Sequence, residues 1–419
     1  MGRTAAPADK LASISARVLF LTHEAPLPLV SGARIRSFHL MRELAERGHD
    51  VSLFALVHSD PPSAADLSRL GGLGERVELH EFAPRQLARR ARLALDTAGG
   101  RPFQRRYFFD AAARVAAERL IAELRPDAIV AGQLYMEPYL PQALDIPVIF
   151  DSHNVEERRV ASMAREGGVR ALLARRQLRP VAAHEAAVVG RVARTWAVSE
   201  EERAHFELHA PGRVDLVPNG VDCAALRPRE RLPAAPELLF LGRMDYGPNV
   251  DGVRHLLQDV APRLRRRDAV IRIVGANPPQ ATVRLAERSA LTVDVTGFVA
   301  ATAPYLDAAR ALVVSLRSGG GTRLKILEAL ARGVPVVTTS LGCEGLGLAH
   351  GHDALIADEP QRLAAAVDRL LDDDDLCREL ARNGRATVER RFDWRAIGDA
   401  AERSLATLTD GTAARAGGV

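Results

Sequence analysis

"ALVVSLRSGGGTRLKILEALARGVPVVTT" spans residues 311–339 and holds two apolar runs, separated by three glycines and a helical pattern. The apolar runs at 311–316 and 335–339 predict buried strands, and the amphipathic stretch between them predicts a helix. Two neighbouring strands joined through a helix lie parallel in one sheet. The stretch therefore predicts a βαβ unit, which is the building block of α/β domains.

The three glycines, residues 319–321, stand where the first predicted strand ends and the helix begins. Glycine lets a bulky group approach the backbone, and a helix N-terminus offers free N–H groups and a positive dipole end to a phosphate. Thr322 is a candidate cap. The GxxxxGK[ST] spacing of a Walker loop is absent. A phosphate-binding loop and a plain glycine turn both remain open at this point.

The same alternation of strands and helices extends in both directions along the chain. Further strands are predicted at 17–22, 50–56, 77–82, 128–132, 147–151, 194–198, 214–218, 237–243, 270–275 and 293–299, with the first helix at 33–48. This order predicts parallel sheets that are covered by helices on both faces. In such sheets, ligands bind beyond the carboxyl ends of the strands.

A Pro- and Arg-rich stretch, 222–236, divides the chain and predicts a linker between two α/β domains. We predict a flexible tail at 1–16, an N-terminal Rossmann-like domain at 17–221 and a C-terminal Rossmann-like domain at 237–390. A last helix at 391–408 is predicted to pack back toward the first domain. Residues 409–419 are predicted to be disordered.

Composition narrows the class of protein. The 419 residues carry a net charge of only +4, which argues against a nucleic-acid partner. The three cysteines are widely spaced, which argues against disulfides and a zinc site. The N-terminus lacks the apolar run of a signal peptide and no apolar run is long enough to span a membrane. We therefore expect a cytoplasmic protein.

Lysine is almost missing from the chain. Of 57 Lys and Arg residues, only Lys10 and Lys325 are lysines, and Lys10 lies in the predicted tail. A lysine that survives such a bias toward arginine can be needed as a compact ammonium rather than a planar fork. Asparagine is also rare, and Asn154, Asn219, Asn249 and Asn277 each follow an apolar run. A preference of Asn for turns is the simpler explanation of that placement.

Four further residues lie next to predicted strands or helices, or within the glycine-loop helix. Glu328 lies in the helix amid apolar residues, where a carboxylate must be paired or bind hydroxyl groups. Arg243 and His153 each follow a strand, and Gly32 precedes the first helix. A salt bridge for Glu328, a surface position for Arg243 and a packed imidazole for His153 are the structural alternatives.

Taken in order, these motifs resemble family 4 retaining glycosyltransferases, which have the two-domain GT-B fold. The resemblance covers residues 17 to 400, and its last motif has the form of a bacterial subgroup tied to surface polysaccharide and secondary-metabolite glycosylation. The motifs that carry it are "SGARIRSFHLMRELAERGHDV", "FDSHN", "AVSEEE", "VPNGVD", "FLGRMDYGPN", "IVGANP", "VTGFV" and "GGGTRLKILEALARGVPVVTT".

The resemblance implies a role for each matching residue. Glu328 would bind the ribose hydroxyls of a nucleotide sugar, and Arg243 its phosphates, together with the backbone amides of Thr322, Arg323 and Leu324. His153 would lie beside the reacting sugar. Gly297, Phe298 and Val299 would border the base, and Gly32 would let the first domain close on the donor.

Two positions depart from the family pattern. The Glu that usually contacts the donor sugar, eight residues before the ribose Glu, is Gly320 here, next to Gly321. The Lys that usually follows the phosphate Arg is also missing, and Asn249 stands near its place. We hypothesise that Lys325 supplies the missing ammonium to the diphosphate; a lysine on the solvent side of its helix is the alternative.

The predicted function is transfer of a sugar, with retention, from a uridine or guanosine diphosphate sugar to a lipid-linked, glycan or small-molecule acceptor. No metal or other cofactor is expected, and we interpret the acidic run 372–376 as a helix start. The rivals are a noncatalytic nucleotide- or sugar-binding relative and a GT-B epimerase. A dehydrogenase is disfavoured because no G-x-G-x-x-G follows the first strand.

Basic amphipathic segments in the first domain suggest contact with an anionic membrane surface, and a solvated face or an acidic acceptor are the alternatives. They comprise residues 85–106 and 170–179. Their arginines are Arg85, Arg89, Arg90, Arg92, Arg101, Arg105, Arg106, Arg170, Arg175, Arg176 and Arg179.

Overall fold

The computed structural model describes residues 15–58, 60–82, 86–141, 145–165 and 168–416. They form two parallel sheets, which confirms the predicted α/β class with two Rossmann-like domains. The first sheet has seven strands in the order β3-β2-β1-β4-β5-β6-β7. The strands are β1 (Arg17–Thr22), β2 (Asp50–Val57), β3 (Arg76–Glu81), β4 (Ala128–Gly132), β5 (Val148–Asp151), β6 (Arg194–Ala197) and β7 (Val214–Leu216).

The second sheet has six strands in the order β10-β9-β8-β11-β12-β13. They are β8 (Glu237–Leu241), β9 (Val270–Val274), β10 (Thr292–Gly297), β11 (Ala311–Val314), β12 (Val336–Thr338) and β13 (Leu355–Ile356). The edge strand β13 is not among the predicted strands. Its two residues are too few to show a periodic pattern, and it forms by pairing with β12.

Helices cover both sheets. In the N-terminal half they are α1 (Gly32–Glu46), α2 (Ala64–Gly71), α3 (Gln86–Ala98), α4 (Gln104–Tyr107), α5 (Ala111–Leu124), α6 (Glu156–Met163), α7 (Gly168–Arg191) and α8 (Glu200–Glu207). In the C-terminal half they are α9 (Gly247–His255), α10 (Gln280–Glu287), α11 (Ala303–Ala308), α12 (Leu324–Ala331), α13 (Pro360–Asp372), α14 (Asp374–Arg391) and α15 (Trp394–Ala416). Among the described residues, no helix is long and apolar enough to cross a membrane.

The acidic run at 372–376 lies at the start of a helix, as predicted. Asp373 caps α14, and its carboxylate accepts a hydrogen bond from the Leu376 backbone N–H. Asp374 and Asp375 occupy the first turn, where negative charge suits the helix dipole. This run therefore begins a helix.

Each sheet has its own buried core. The core of the C-terminal sheet is formed by buried residues of its strands and by apolar residues of α12, α13 and α14. A core on the N-terminal sheet is completed by the last helix, α15. Four residues of this helix pack into that core: Trp394, Ile397, Ala401 and Leu405. The chain therefore returns from the C-terminal domain to the N-terminal domain at residues 392–394. There, Val221 and Asp393 form an isolated parallel β-bridge.

Both predicted chain ends need correction. The tail was predicted through residue 16, but Ala16 is buried and its carbonyl accepts a hydrogen bond from the Asp50 N–H. The tail predicted from 409 is wrong for 409–416, because α15 continues to Ala416 and Thr409 is buried. The alanines of this segment favour a helix. The last helix also starts later than 391, since Arg391 ends α14.

Candidate active site in the interdomain cleft

The glycine loop after β11 is held by its own arginine. Arg323 is buried, and its guanidinium donates to the carbonyls of Gly320 and Gly321 and, at 3.1 Å, to that of Gly319. Gly321 has a φ of +80°, a conformation that favours glycine. Burial lowers the pKa of Arg323. The side chain of Arg323 therefore shapes the glycine loop by binding its carbonyl groups.

The backbone amides at the start of α12 are available to an anion. Among the described residues, no group accepts a hydrogen bond from the N–H of Thr322 or Arg323. The Leu324 N–H bonds only to the Thr322 carbonyl, at 3.1 Å. Unpaired N–H groups and the positive end of a helix dipole together favour a phosphate.

Lys325 points from α12 to the loop after β8. Its Nζ lies 2.9 Å from Asn249 Oδ1 and 5.1 Å from the centroid of the Phe240 ring. A Cβ at Gly242 would lie only 2.6 Å from Nζ, so glycine leaves the space that the ammonium occupies. Burial, with the charge of Arg323, lowers the pKa of Lys325 to about 7. The ammonium thus lies at the place from which the family's usual lysine is missing.

Glu328 lies one turn further along α12. Burial raises the pKa of its carboxyl to about 7, although the charge of Lys325 acts in the opposite direction. In the described part of the chain no side chain or backbone group hydrogen bonds this carboxylate or pairs with it within 4 Å. Its oxygens are therefore available to accept hydrogen bonds from hydroxyl groups.

Arg243 is paired within its own loop. Its guanidinium donates to both oxygens of Asp245, at 3.1 and 2.6 Å, and these hydrogen bonds raise the pKa of Arg243. The side chain is 67% exposed. Asn277 also donates to Asp245, at 3.2 Å. A phosphate that binds Arg243 would have to share it with this carboxylate.

The segment predicted to border a base lies at the end of β10. Gly297 has a φ of +73°, and its carbonyl accepts a hydrogen bond from the Gly275 N–H at 3.1 Å. Phe298 is 80% exposed, which is unusual for an aromatic ring. Val299 packs against the C-terminal core. The ring of Phe298 is therefore free to stack on a ligand.

His153 follows β5 on the opposite wall, and both of its ring nitrogens are engaged. Gln133 donates to Nδ1 at 3.0 Å, so the network assigns the ring proton to Nε2, which lies 2.9 Å from Asp151 Oδ2. Asp151 is itself held by the buried Arg36, 2.6 Å away. Burial would raise the pKa of Asp151, but Arg36 and His153 outweigh it and hold that pKa well below its usual value. The imidazole is therefore oriented, with no nitrogen left to abstract a proton.

The two walls meet at the glycine loop. A Cβ at Gly32 would contact Leu324 of α12 at 3.8 Å. Asn219 Nδ2 donates to Thr322 Oγ1 at 2.9 Å across the domain boundary. The structure thus brings together, in one cleft, the N-terminal wall of Gly32 and His153 and the C-terminal residues from 320 to 325.

Several cleft residues were absent from the sequence-based site. Asn154, Asn219 and Asn249 all face the glycine loop or Lys325. The features of the sequence that could have identified them are the rarity of asparagine in this chain and the position of these three asparagines after apolar runs. Arg36 and Asp151 gave no such signal, because their pairing joins a helix to a strand 115 residues away.

One group outside these loops has the donor types of a metal site. Ligand atoms of Glu157, Glu185 and His205 lie within 4.8 Å of one another. The oxygens of Glu185, however, already accept hydrogen bonds from the backbone N–H groups of Glu156 and Glu157, at 2.8 and 3.2 Å. Glu185 thereby caps α6, which accounts for its position without an ion.

Two Rossmann-like domains that face a shared cleft, with the glycine loop of the second domain lining it, define the GT-B class of fold. Residues 30–225 match the family described as Glycosyltransferase Family 4, and residues 235–373 match Glycosyl transferases group 1. The chain belongs to the family 4 glycosyltransferases, and it is a glycosyltransferase of the GT-B type.

Relatives are similar over nearly the whole chain. Glycogen synthase of Mycobacterium tuberculosis is 28% identical over 418 residues, covering 92% of this chain and 93% of that protein. Two solved structures share the fold. Sucrose-phosphate synthase from Thermosynechococcus elongatus has a TM-score of 0.69 at 20% identity, covering 94% of this chain and 100% of that one. Anabaena HepE, solved with UDP and glucose, has a TM-score of 0.65 at 16% identity, with 94% and 100% covered.

Proposed function

We propose that this glycosyltransferase moves a sugar, with retention, from a nucleoside diphosphate sugar to an acceptor hydroxyl in the synthesis of a bacterial surface glycan or a secondary metabolite. The observation that carries the donor class is the start of α12. There, the free amides of Thr322 and Arg323, the Lys325 ammonium and the Glu328 carboxylate, which has no partner among the described residues, follow one another within about two turns. Together they suit a diphosphate followed by a ribose. A relative of the same fold, HepE, was solved with UDP.

The proposed chemistry breaks the bond between the anomeric carbon and the phosphate oxygen. The electron pair leaves with the diphosphate, while the acceptor oxygen bonds to the carbon on the same face and passes its proton to the departing phosphate. Lys325, the amides of Thr322 and Arg323, and Arg243 stabilise the developing negative charge, the largest expected catalytic contribution. His153 is a positioning group here, because both its nitrogens are occupied.

In this proposal no metal is needed for the leaving group. Lys325 and the positive end of α12 supply the charge that a divalent ion would otherwise provide. Uridine and guanosine diphosphates are the proposed donor nucleotides, and Phe298 is the proposed platform for the base.

The first test is thermal stabilisation by UDP, GDP, ADP, dTDP and NAD. A ligand at about 100 times its dissociation constant adds roughly 2.7 kcal/mol to the free energy of unfolding. A shift with one nucleoside diphosphate identifies the donor base. No shift with any of them, in a folded sample, contradicts the proposal, and a shift with NAD alone points to a dehydrogenase.

A noncatalytic sugar-nucleotide binder is the second candidate, because Gly320 leaves open space where the family usually has a carboxylate. Release of free nucleoside diphosphate from the sugar nucleotide, with acceptor present, separates the two candidates. Turnover supports the transferase, and binding without turnover supports the binder. An epimerase would convert the sugar without net transfer.

We also propose that the protein works at the inner face of the cell membrane through the basic segments of its first domain. On α7, Arg176 and Arg179 are exposed beside Leu172, which is 54% exposed. Arg105 and Arg106 are less free, since they pair with Glu137 and Asp96. Arg85 lies outside the described residues, as do the side chains of Arg89, Arg90, Arg92 and Arg170.

Flotation with anionic liposomes tests the membrane proposal. We expect binding that is lost at high salt and in the double variant Arg176→Glu, Arg179→Glu. The matched control reverses the charge of two exposed arginines outside the first domain, Arg231 of the predicted linker and Arg382 of α14, and should still bind. Equal binding by both double variants, or no salt-sensitive binding at all, contradicts the proposal.

A further inference from the structure

The turn after β5 presents four polar side chains in a row, and three of them are used internally. Asp151 binds Arg36 and His153, and Ser152 Oγ donates to the Trp196 carbonyl at 3.0 Å. His153 engages both ring nitrogens. Asn154 differs from these three. Its backbone N–H bonds to Ser152, but in the described part of the chain its half-buried side-chain amide has no hydrogen-bond partner.

This amide faces the glycine loop from the opposite domain. Asn154 Oδ1 lies 2.8 Å from where a Cβ at Gly321 would be, so the absence of a side chain there is what lets the two come together. At the neighbouring Gly320 an added Cβ would meet nothing within 4 Å. Next to this space, the hydrogen bond from Asn219 to Thr322 holds the two walls of the cleft together. Open space therefore adjoins an amide whose hydrogen-bonding capacity is unused.

The space lies just before the start of α12, and this position indicates which part of the donor would fill it. In the proposed donor complex the ribose lies at Glu328 and the diphosphate at the first turn, from Lys325 back to Thr322. The next unit of a sugar nucleotide, continuing in the same direction, is the sugar, and the next residues are Gly321 and Gly320. The sugar would then lie between the glycine loop and the wall that carries Asn154.

We infer that Asn154 is a specificity-determining residue whose amide binds two neighbouring hydroxyl groups of a neutral donor sugar. The inference rests on the proposed function. An amide supplies an acceptor oxygen and two N–H donors, which match a vicinal pair of hydroxyls. It carries no charge to pair with a carboxylate or an amine on the sugar. A half-buried amide that loses its partners disfavours analogues that lack those hydroxyls.

The test compares the affinities for UDP and UDP-glucose, measured by titration calorimetry, in wild type and Asn154→Ala. We expect Asn154→Ala to bind UDP within about twofold of wild type and UDP-glucose about tenfold more weakly, as for loss of about one to two hydrogen bonds. Asn383→Ala, which removes an asparagine from α14, is the matched control and should change neither. Should UDP fail to stabilise wild type while GDP does, GDP and GDP-mannose replace this pair.

Asn154→Leu guards against misfolding, because it keeps the size of the side chain and adds no charge while it removes the acceptor oxygen and both N–H donors. It should show the same selective loss with an unchanged melting temperature. An equal loss for nucleotide and sugar nucleotide, or no loss for either, overturns the role of Asn154 alone. Wild-type protein that binds neither pair overturns the proposed function, and this inference with it.

Discussion

At the scale of the residue, the hypothesis that Lys325 replaces the family's usual lysine agrees with where its ammonium lies. In the family pattern the lysine follows the phosphate arginine, whereas here Asn249 stands near that place and holds the Nζ of a lysine from α12. The two positions are 76 residues apart in sequence and 2.9 Å apart in space. Gly242 gives the ammonium its space, so the hypothesised replacement involves a glycine as well as an asparagine.

Lys325 should make nucleotide binding sensitive to alkaline pH. Its pKa of about 7 in the free protein means that the amine is neutral above that pH, while a diphosphate favours the ammonium. Binding then requires proton uptake, so UDP affinity should fall as pH rises from about 7 toward about 9, by at most about tenfold per pH unit. Titration calorimetry in buffers of different ionisation enthalpy measures both effects.

Lys325→Met is the matching variant, since it keeps the length and loses the charge. We expect UDP affinity to be at least about tenfold weaker near pH 7, as for a lost charge-assisted hydrogen bond, and independent of pH above it. Lys325→Arg should not restore binding, because the wider guanidinium does not fit against Gly242. An unchanged affinity in Lys325→Met would rule out the ammonium as a ligand of the diphosphate.

We predict that Glu328 contributes to nucleotide affinity only through the ribose hydroxyls. The variant Glu328→Gln keeps one acceptor oxygen but loses the charge, so we expect UDP to bind about five- to tenfold more weakly. The affinity for 2′-deoxyuridine diphosphate, which lacks one ribose hydroxyl, should change much less. A calorimetric comparison of the two nucleotides in both proteins measures this difference. Equal losses for both would show that Glu328 does not contact that hydroxyl.

At the scale of the element, α15 belongs to the C-terminal part of the sequence but to the N-terminal core. Trp394 begins the helix, is almost fully buried, and stacks on His39 of α1 with ring centroids 4.8 Å apart. Trp196 donates to Ser404 at 2.8 Å, and Ser404 donates to Asp215 at 2.5 Å. The last helix therefore ties β6 and β7 to α1 and closes the first domain.

Removal of the Trp394 side chain should destabilise this docking. We expect Trp394→Ala to lower the free energy of unfolding by about 3–5 kcal/mol, the usual cost of deleting a buried aromatic ring. Trp394→Phe should cost less, because it keeps a ring on His39 and removes an indole N–H that has no hydrogen-bond partner among the described residues. Thermal melting and amide exchange of α1 and α15 measure both variants, and equal stability of wild type and Trp394→Ala would contradict the packing argument.

At the scale of the whole molecule, a side chain of the N-terminal domain forms a hydrogen bond with the residue that follows the glycine loop of the C-terminal domain. Asn219 accepts from the buried Arg36 at 3.3 Å and donates to Thr322 at 2.9 Å. Arg36 in turn holds Asp151, which orients His153. A connected polar network thus links the N-terminal wall of the cleft to the glycine loop.

Breaking this link should loosen the cleft without unfolding either domain. In Asn219→Ala and Thr322→Val we expect a larger radius of gyration in small-angle scattering and amide exchange at 319–325 that is about two- to tenfold faster, as for one neutral hydrogen bond. The double variant should add little to either single one, because both remove the same interaction. Asn277→Ala, which loses a bond to Asp245 within one domain, is the control. Additive effects would show that the two residues act separately.

The sequence alone determined the order of nearly all strands, the α/β class and the presence of two sheets, and it predicted residues on both walls of the cleft. These follow from local periodicity and from the rule that the carboxyl ends of parallel strands face the ligand, so no distant contact is needed to predict them. The two-residue strand β13 escaped that reasoning, as did the continuation of α15 to Ala416, because neither has a repeating apolar pattern.

Only the tertiary structure decided what each side chain in the cleft can do. It pairs Arg243 with Asp245, occupies both nitrogens of His153 and turns Lys325 toward Asn249. In the part of the chain that the structure describes, it also leaves the amide of Asn154 without a hydrogen-bond partner beside Gly321. Arg243 is paired by a residue two positions away, but for His153, Lys325 and Asn154 the decisive neighbours come from another loop, another helix or the other domain. Those neighbours are set by sheet order and by closure of the two domains, which bring together residues that no local pattern connects.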